Sequence, residues 1–222
     1  MGVLVAGGTG ALGAAVVREL VSADYTVAAT WIVPGERERL ESLPVELVEA
    51  DLFDPAAAGS AVSAVDDLEG VVDLVGGFAS GPRVHETDPD EFARLIRLNL
   101  TPAFMLARAA MPRMMERGGG AFVGVSARPA LRPFAGAAGY ITGKAAVLAF
   151  IQALDAEYRD DGIRCNAILP SVIDTPANRE SQPDADWSKW VPPEEIAKVV
   201  RFLVSEDSKP TSGAAIPVYG RA

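Results

Sequence analysis

Apolar residues fall along the chain in two alternating rhythms. Short runs rich in Val, Ile, Leu and Ala occur at residues 3–6, 25–32, 45–50, 71–75, 121–126, 163–169 and 214–218. Each is bounded by Gly, Pro, Asp or Ser and reads as a buried strand. Between them, apolar positions recur every three or four residues, as in Val16, Val17, Leu20 and Val21. That spacing predicts helices over 14–22, 55–68, 90–117, 139–158 and 194–204, with a shorter one at 36–42. Thr87-Asp88-Pro89-Asp90-Glu91 carries the acids of a helix start, and Gly118-Gly119-Gly120 stops the same helix. Strand and helix in alternation predict an α/β fold with a doubly wound, Rossmann-type parallel sheet in a single domain. The longest stretch without a period is 174–190, and an irregular piece of that length is expected to act as a substrate lid, over about 174–193.

The chain has 222 residues, 49% of them hydrophobic, 23% charged, with a net charge of −10. That length suits one globular domain with a large core. The negative charge disfavours a nucleic-acid backbone or an anionic membrane surface as partner. Phosphates must then be bound locally, by backbone N–H groups and a few basic side chains. The single cysteine, Cys165, rules out an intrachain disulfide and sits in an apolar run, which predicts burial. One histidine and one cysteine are too few for a zinc site of the usual kind, so no metal is expected. His85 reads as a solvent-exposed loop residue. No basic leader precedes the first strand and no apolar run is long enough to span a membrane, so a cytoplasmic location is expected.

The first strand runs directly into Gly7-Gly8-Thr9-Gly10-Ala11-Leu12-Gly13, and a helix follows. Strand, glycine turn and helix form the context in which G-x-G-x-x-G binds a dinucleotide. The glycines permit a tight turn and close approach of a pyrophosphate, and the helix N-terminus offers N–H groups to it. An acid that selects NAD is expected near the end of the second strand. Thr30-Trp31-Ile32 stands there instead, with Arg37 and Arg39 just beyond. The choice between NAD and NADP stays open, and the two arginines tilt it toward NADP.

Tyr140 and Lys144 are four residues apart in a predicted helix and share one face. An ammonium beside a phenol favours the phenolate, lowering a pKa that is ordinarily about 10. The pair is thus a candidate for proton transfer.

Taken together and in order, these motifs resemble the short-chain dehydrogenase/reductase family over almost the whole chain. The matching features are the glycine turn, Asp51-Leu52, Val75-Gly76-Gly77-Phe78 in place of Asn-Asn-Ala-Gly, Asn99, Tyr140 with Lys144, and the segment from Pro170 to Pro176. The resemblance implies hydride transfer between nicotinamide and a small carbonyl or alcohol substrate. Tyr140 is then general acid or base. Lys144 lowers its pKa and holds the ribose, Asn99 holds a water in a proton relay, and Ser126 polarises the substrate oxygen. It also implies cofactor contacts at Gly7, Thr9, Gly10, Ala11, Leu12, Gly13, Trp31, Asp51, Leu52, Gly76, Gly77, Pro170, Ile173 and Thr175, besides Tyr140 and Lys144. Phe78, Trp187 and Trp190 are candidates to line the substrate pocket. Family members pair their two long helices, which implies a homodimer or homotetramer.

The sequence departs from the family in two places. Ala11 replaces a common glycine. By its spacing from the tyrosine, the catalytic serine falls on Ala127, and Ser126 stands one residue early. One step along a strand turns a side chain to the opposite face. Either a bulge brings Ser126 in or the serine's role is vacant, as in dihydropteridine reductases, which the 174–179 segment and the Trp187–Trp190 region also resemble. A pterin reductase is therefore an alternative, and a non-catalytic NAD(P)-binding sensor or scaffold is another.

Overall fold

The computed structural model describes residues 1–221. Seven strands form one all-parallel sheet: β1 (Gly2–Ala6), β2 (Thr26–Trp31), β3 (Val45–Glu49), β4 (Leu68–Asp73), β5 (Gly120–Val125), β6 (Ile163–Pro170) and β7 (Ala215–Val218). Their order across the sheet is β3-β2-β1-β4-β5-β6-β7. The order reverses between β1 and β4, and a crevice opens there beyond the carboxyl ends of the strands.

Five helices cover the two faces, α1 (Ala11–Ser22), α2 (Pro55–Ser63), α3 (Pro89–Arg117), α4 (Ala138–Tyr158) and α6 (Pro193–Val204), while the short α5 (Pro176–Ser181) buries no residue and follows β6. One core layer packs Val16, Val17 and Leu20 of α1 and Ile196, Val200 and Leu203 of α6 against the sheet. The other packs Leu106, Ala110 and Met114 of α3 and Val147, Ile151 and Leu154 of α4 against Leu4, Ala6 and Val71. Both faces are covered, so the strands read as continuous apolar runs rather than alternating ones.

Four details differ from the sequence reading. The alanine-rich stretch stops being helical at Ser63, not near 68. Asp67 accepts from the Gly2 N–H, which draws the chain into β4 three residues early. Arg113 of α3 donates to the carbonyls of Val62, Val65 and Asp66 and so satisfies the open end of α2. Residues Pro34–Arg39 form a 3-10 turn with no buried side chain rather than an α-helix. The stretch expected to be irregular contains α5 and a 3-10 turn at Trp187–Lys189.

Candidate active site

The glycine turn is shaped for a phosphate. Gly7 has φ +69 and its N–H donates to Thr30 Oγ1 at 2.9 Å, tying the turn to β2. A Cβ at Gly13 would lie 2.1 Å from the Gly7 carbonyl oxygen, and one at Gly8 would lie 2.7 Å from Ala29 Cβ. Glycine is therefore required for helix and strand to meet so closely. The first hydrogen bond of α1 is Ala14 N–H to the Gly10 carbonyl, at 2.8 Å. The N–H groups of Ala11, Leu12 and Gly13 have no helical acceptor. Gly10 carries no capping side chain, and the first turn holds no acid. A diphosphate fits this end of the helix, where its charge meets free donors and a positive dipole. When bound, a nicotinamide dinucleotide supplies or accepts the hydride.

Arg39 crosses to the same turn. Its Nη1 donates to the Thr9 carbonyl at 2.7 Å and to Glu36 at 2.8 Å. Arg37 instead stacks on the Trp31 indole, 4.7 Å from the ring centre. Of the two arginines, only Arg39 is held at the glycine turn. Asp51 accepts from the Phe53 N–H at 3.0 Å just past β3, with Leu52 buried beside it.

At the carboxyl end of β4, the chain closes around Gly76 and Gly77. Asn99 of α3 is fully buried and reads the Gly77 peptide from both sides: its Oδ1 accepts from Gly77 N–H at 3.2 Å and its Nδ2 donates to Gly77 O at 3.0 Å. Nδ2 also donates to the Leu95 carbonyl at 2.8 Å. Lys144 is buried on the inner face of α4 and donates to the Val125 carbonyl at 2.9 Å. A Cβ on Gly76 would sit 2.5 Å from Asn99 Oδ1 and 2.8 Å from Lys144 Nζ. The structure thus brings Gly76, Gly77, Asn99 and Lys144 into one cluster. Tyr140 lies one turn before Lys144 on α4. Its hydroxyl has no hydrogen-bond partner among the described residues, and its ring meets Phe78 edge-on at 4.9 Å.

The electrostatics of this cluster differ from the sequence expectation. Burial pushes the Tyr140 phenol up to about 12, and Lys144 does not offset it. The ammonium is spent on the Val125 carbonyl and on a buried carboxylate, Asp73. Burial takes Lys144 down to about 8, and Asp73 holds it up. In the chain by itself, Tyr140 is therefore a protonated donor at neutral pH, not a phenolate.

The crevice has two side walls. Gly81 N–H donates to the Gly136 carbonyl at 2.8 Å, joining the loop after β4 to the loop before α4. Exposed Phe78, Val84, Leu131 and Phe134 sit on these joined loops. Opposite lies the 171–193 stretch. Pro170 ends β6, and Ile173 pairs with Val191 in an isolated bridge. Thr175 Oγ1 caps α5 by accepting from Asn178 N–H at 3.2 Å, and Asn178 Nδ2 donates to the Ile173 carbonyl at 2.8 Å. Asp174 binds Arg179 through two hydrogen bonds of 2.5 and 2.7 Å, and Arg179 stacks on Trp187. A cleft of about 360 Å³ separates this stretch from α1, lined by Ala11, Arg18, Arg39, Thr175 and Glu194 among others.

Ser126 does not face the crevice as a free hydroxyl. It is buried, and its Oγ donates to the Lys144 carbonyl at 2.7 Å. The backbone at Ala127 is fully extended, φ −159 and ψ 155, so the two side chains point to opposite sides. No bulge intervenes between Ser126, whose N–H donates to Ile168 O, and the rest of β5. Phe78 reaches the site, whereas Trp187 and Trp190 pack on each other at 6.3 Å within the opposite wall. Cys165 is buried, its thiol pushed up to about 12 by burial, and His85 is exposed.

A family model described as enoyl-(acyl carrier protein) reductase, of the short-chain dehydrogenase/reductase group, matches residues 7–220. The chain belongs to the short-chain dehydrogenase/reductase family. It is an NAD(P)-dependent oxidoreductase. The chain is 30% identical over 189 residues to a 2-(R)-hydroxypropyl-CoM dehydrogenase of Xanthobacter autotrophicus, covering 78% of this chain and 76% of that protein. It is 28% identical over 229 residues to the 3-oxoacyl-[acyl-carrier-protein] reductase MabA of Mycobacterium tuberculosis, covering 98% and 91%. Among solved structures, a short-chain type dehydrogenase/reductase from Mycobacterium ulcerans superposes with a TM-score of 0.92 at 26% identity, over 99% of this chain and 88% of that one. No helix among the described residues is long and apolar enough to cross a membrane.

Two features of this short-chain dehydrogenase/reductase went unread in the sequence. The reach of Arg39 back to Thr9 spans thirty positions and leaves no local pattern. Asp73, an acid inside an apolar strand, was itself the available signal for a buried charge near the site.

Proposed function

We propose that this enzyme reduces a small carbonyl substrate at the expense of a reduced nicotinamide, with Tyr140 delivering the proton to the substrate oxygen. One observation carries the reading. The Tyr140 hydroxyl is unpaired among the described residues, while Lys144, Asn99 and the Gly76-Gly77 turn beside it are locked together. Burial keeps the phenol protonated, the form that reduction needs. In the oxidative direction the same residue takes the proton back.

The other roles follow from position. Ala11, Leu12 and Gly13 hold the diphosphate by their N–H groups, with Gly7, Thr9 and Gly10 shaping the turn. Trp31, Asp51 and Leu52 flank the adenosine end, and Arg39 favours NADP by meeting a 2′-phosphate. Gly76, Gly77, Pro170, Ile173 and Thr175 line the nicotinamide end. Residues 174–193 act as the lid over the substrate. Exposed Phe78, Val84, Leu131 and Phe134 suit an apolar substrate arm, in keeping with the oxoacyl reductase among the relatives. A quinonoid pterin is the second reading, favoured by Ala127 at the serine position and by the engagement of Ser126 with α4. A homodimer or homotetramer through α3 and α4 is supported by half-exposed Phe104, which meets Phe150 at 6.1 Å on the outer face of those helices.

A Tyr140→Phe variant tests the core of this proposal. It is expected to bind NADPH as the parent does and to lose about 10²–10⁴ of its turnover. Unchanged turnover removes Tyr140 from the mechanism. A panel of β-oxo thioesters, simple ketones, quinones and quinonoid pterins, followed by NAD(P)H absorbance, separates the two substrate readings.

A further inference from the structure

Asp73 closes β4 and is 2% exposed. Its register partners are Ala6 of β1 and Gly124 of β5. Partners in register on a parallel sheet point to the same face. Ala6 packs into the layer built by α3 and α4, and a Cβ on Gly124 would run into Ile151 of α4 at 2.7 Å. The carboxyl of Asp73 is therefore turned toward α4, on the core side of Lys144. Lys144 Nζ is anchored on Val125, the residue after Gly124. No hydrogen bond joins the two charges directly, yet among the described residues the Lys144 ammonium lowers the Asp73 carboxyl and the Asp73 carboxylate raises Lys144.

A structural account of Asp73 is incomplete. Its Oδ1 accepts from Val75 N–H at 3.1 Å, an Asx-type turn that an asparagine makes equally well. Its second oxygen has no partner among the described residues. An ionised carboxylate buried with one hydrogen bond is costly unless another charge answers it. Lys144, buried on the facing helix, is that charge.

We propose that Asp73 is a positioning residue for proton transfer: from the core side of the sheet it holds Lys144 as an ammonium, leaving Tyr140 as the group that moves the proton. This rests on the reading of Tyr140 and Lys144 as the acid–base pair. Burial drives the two charges toward neutrality from opposite sides, Asp73 up to about 7 and Lys144 down to about 8. Besides one hydrogen bond each, from Val75 N–H to Asp73 and from Lys144 to the Val125 carbonyl, each charge is held by the other. Without Asp73, Lys144 gives up its proton at lower pH.

The test uses the full chain labelled with [4-¹³C]aspartate, with the Asp73 signal assigned by its loss in Asp73→Asn. Its carboxyl is expected to titrate well above the ordinary carboxylate range. In Lys144→Met the midpoint is expected to rise by at least about one pH unit. A midpoint in the ordinary range, or one that Lys144→Met does not move, overturns the proposal. The Asp73→Asn pH profile decides separately, also where Lys144→Met does not fold. The substitution keeps the acceptor for Val75 and removes only the charge. The alkaline limb of kcat/KM is expected to move down by about one pH unit. An equal fractional loss at every pH is the mark of a packing defect and also overturns the proposal. If Tyr140→Phe retains turnover, the acid–base reading fails, but the carboxyl titration still reports whether Asp73 and Lys144 are coupled.

Discussion

Adding one methyl group at Gly76 and the same group at Gly59 should have opposite effects. The Gly76→Ala Cβ falls 2.5 Å from Asn99 Oδ1 and 2.8 Å from Lys144 Nζ, closer than a carbon tolerates. Asn99 has no room to yield: it is fully buried and spends its amide on Gly77 and Leu95. Overpacking a tight site costs about 1–3 kcal/mol, and a buried hydrogen bond broken in the process costs a further ~1–3 kcal/mol. A combined cost of about 2–6 kcal/mol lowers Tm by roughly 4–24 °C in a domain of this size. Turnover should fall at least about tenfold, because displacing Lys144 or the Gly77 peptide by even ~1 Å disturbs the pocket beside Tyr140. At Gly59, inside α2, an added Cβ meets nothing within 4 Å. Alanine there should stabilise the helix by about 0.5–1 kcal/mol and raise Tm by roughly 1–4 °C. Differential scanning calorimetry of the two variants, with turnover measured alongside, checks the pair. A Gly76→Ala protein that melts within about a degree of the parent and turns over normally refutes the packing described for this cluster.

Two further outcomes are expected. Arg39→Ala should weaken NADPH binding by about 10–100-fold, the worth of a charge-assisted contact, and NADH binding far less; equal losses in a fluorescence titration, or a parent enzyme that binds NADH at least about tenfold tighter, remove the preference for NADP. The Arg179 guanidinium, through its hydrogen bonds, holds the Asp174 carboxyl below its ordinary value. A depressed carboxyl stabilises the fold above the unfolded pKa, here 3.8, and the contribution disappears as pH falls through the folded value. Arg179 is 46% exposed, so Asp174→Asn should cost less than about 1 kcal/mol at pH 7 and nothing once both proteins are well below pH 3.8. Melting curves that stay equally far apart in acid would contradict this.

All seven strands were readable because a doubly covered sheet demands uninterrupted apolar runs, and such runs stand out between polar helix faces. The end of α2 was not, since alanine continues past Ser63 and only the pairing of Gly2 with Asp67 decides where β4 begins. Helix α5 has six residues and no apolar period. Its cap at Thr175 and the proline after it carry the whole local signal. At the site, alternation along β5 already implied that Ser126 and Ala127 point apart, and the hydroxyl bonded to Lys144 O shows which way Ser126 goes. The pairing of Tyr140 with Lys144 on one helix was legible, but its electrical consequence was not. Burial acts on each group separately, and Asp73 acts on Lys144 from the sheet face that α4 covers, a proximity that no spacing rule describes.

The backbone clasp between Gly81 and Gly136 leaves the entrance with one fixed jamb. Gly136 has φ +82, and a Cβ there would lie 2.7 Å from the Gly81 carbonyl oxygen, so the two loops on the Tyr140 side meet backbone to backbone. On the proposal that residues 174–193 act as the lid, the hinge that admits a molecule is placed on the far side. On that same proposal, the shape of what is admitted can be redrawn by changes in residues 174–193, with the scaffold of Tyr140 left untouched.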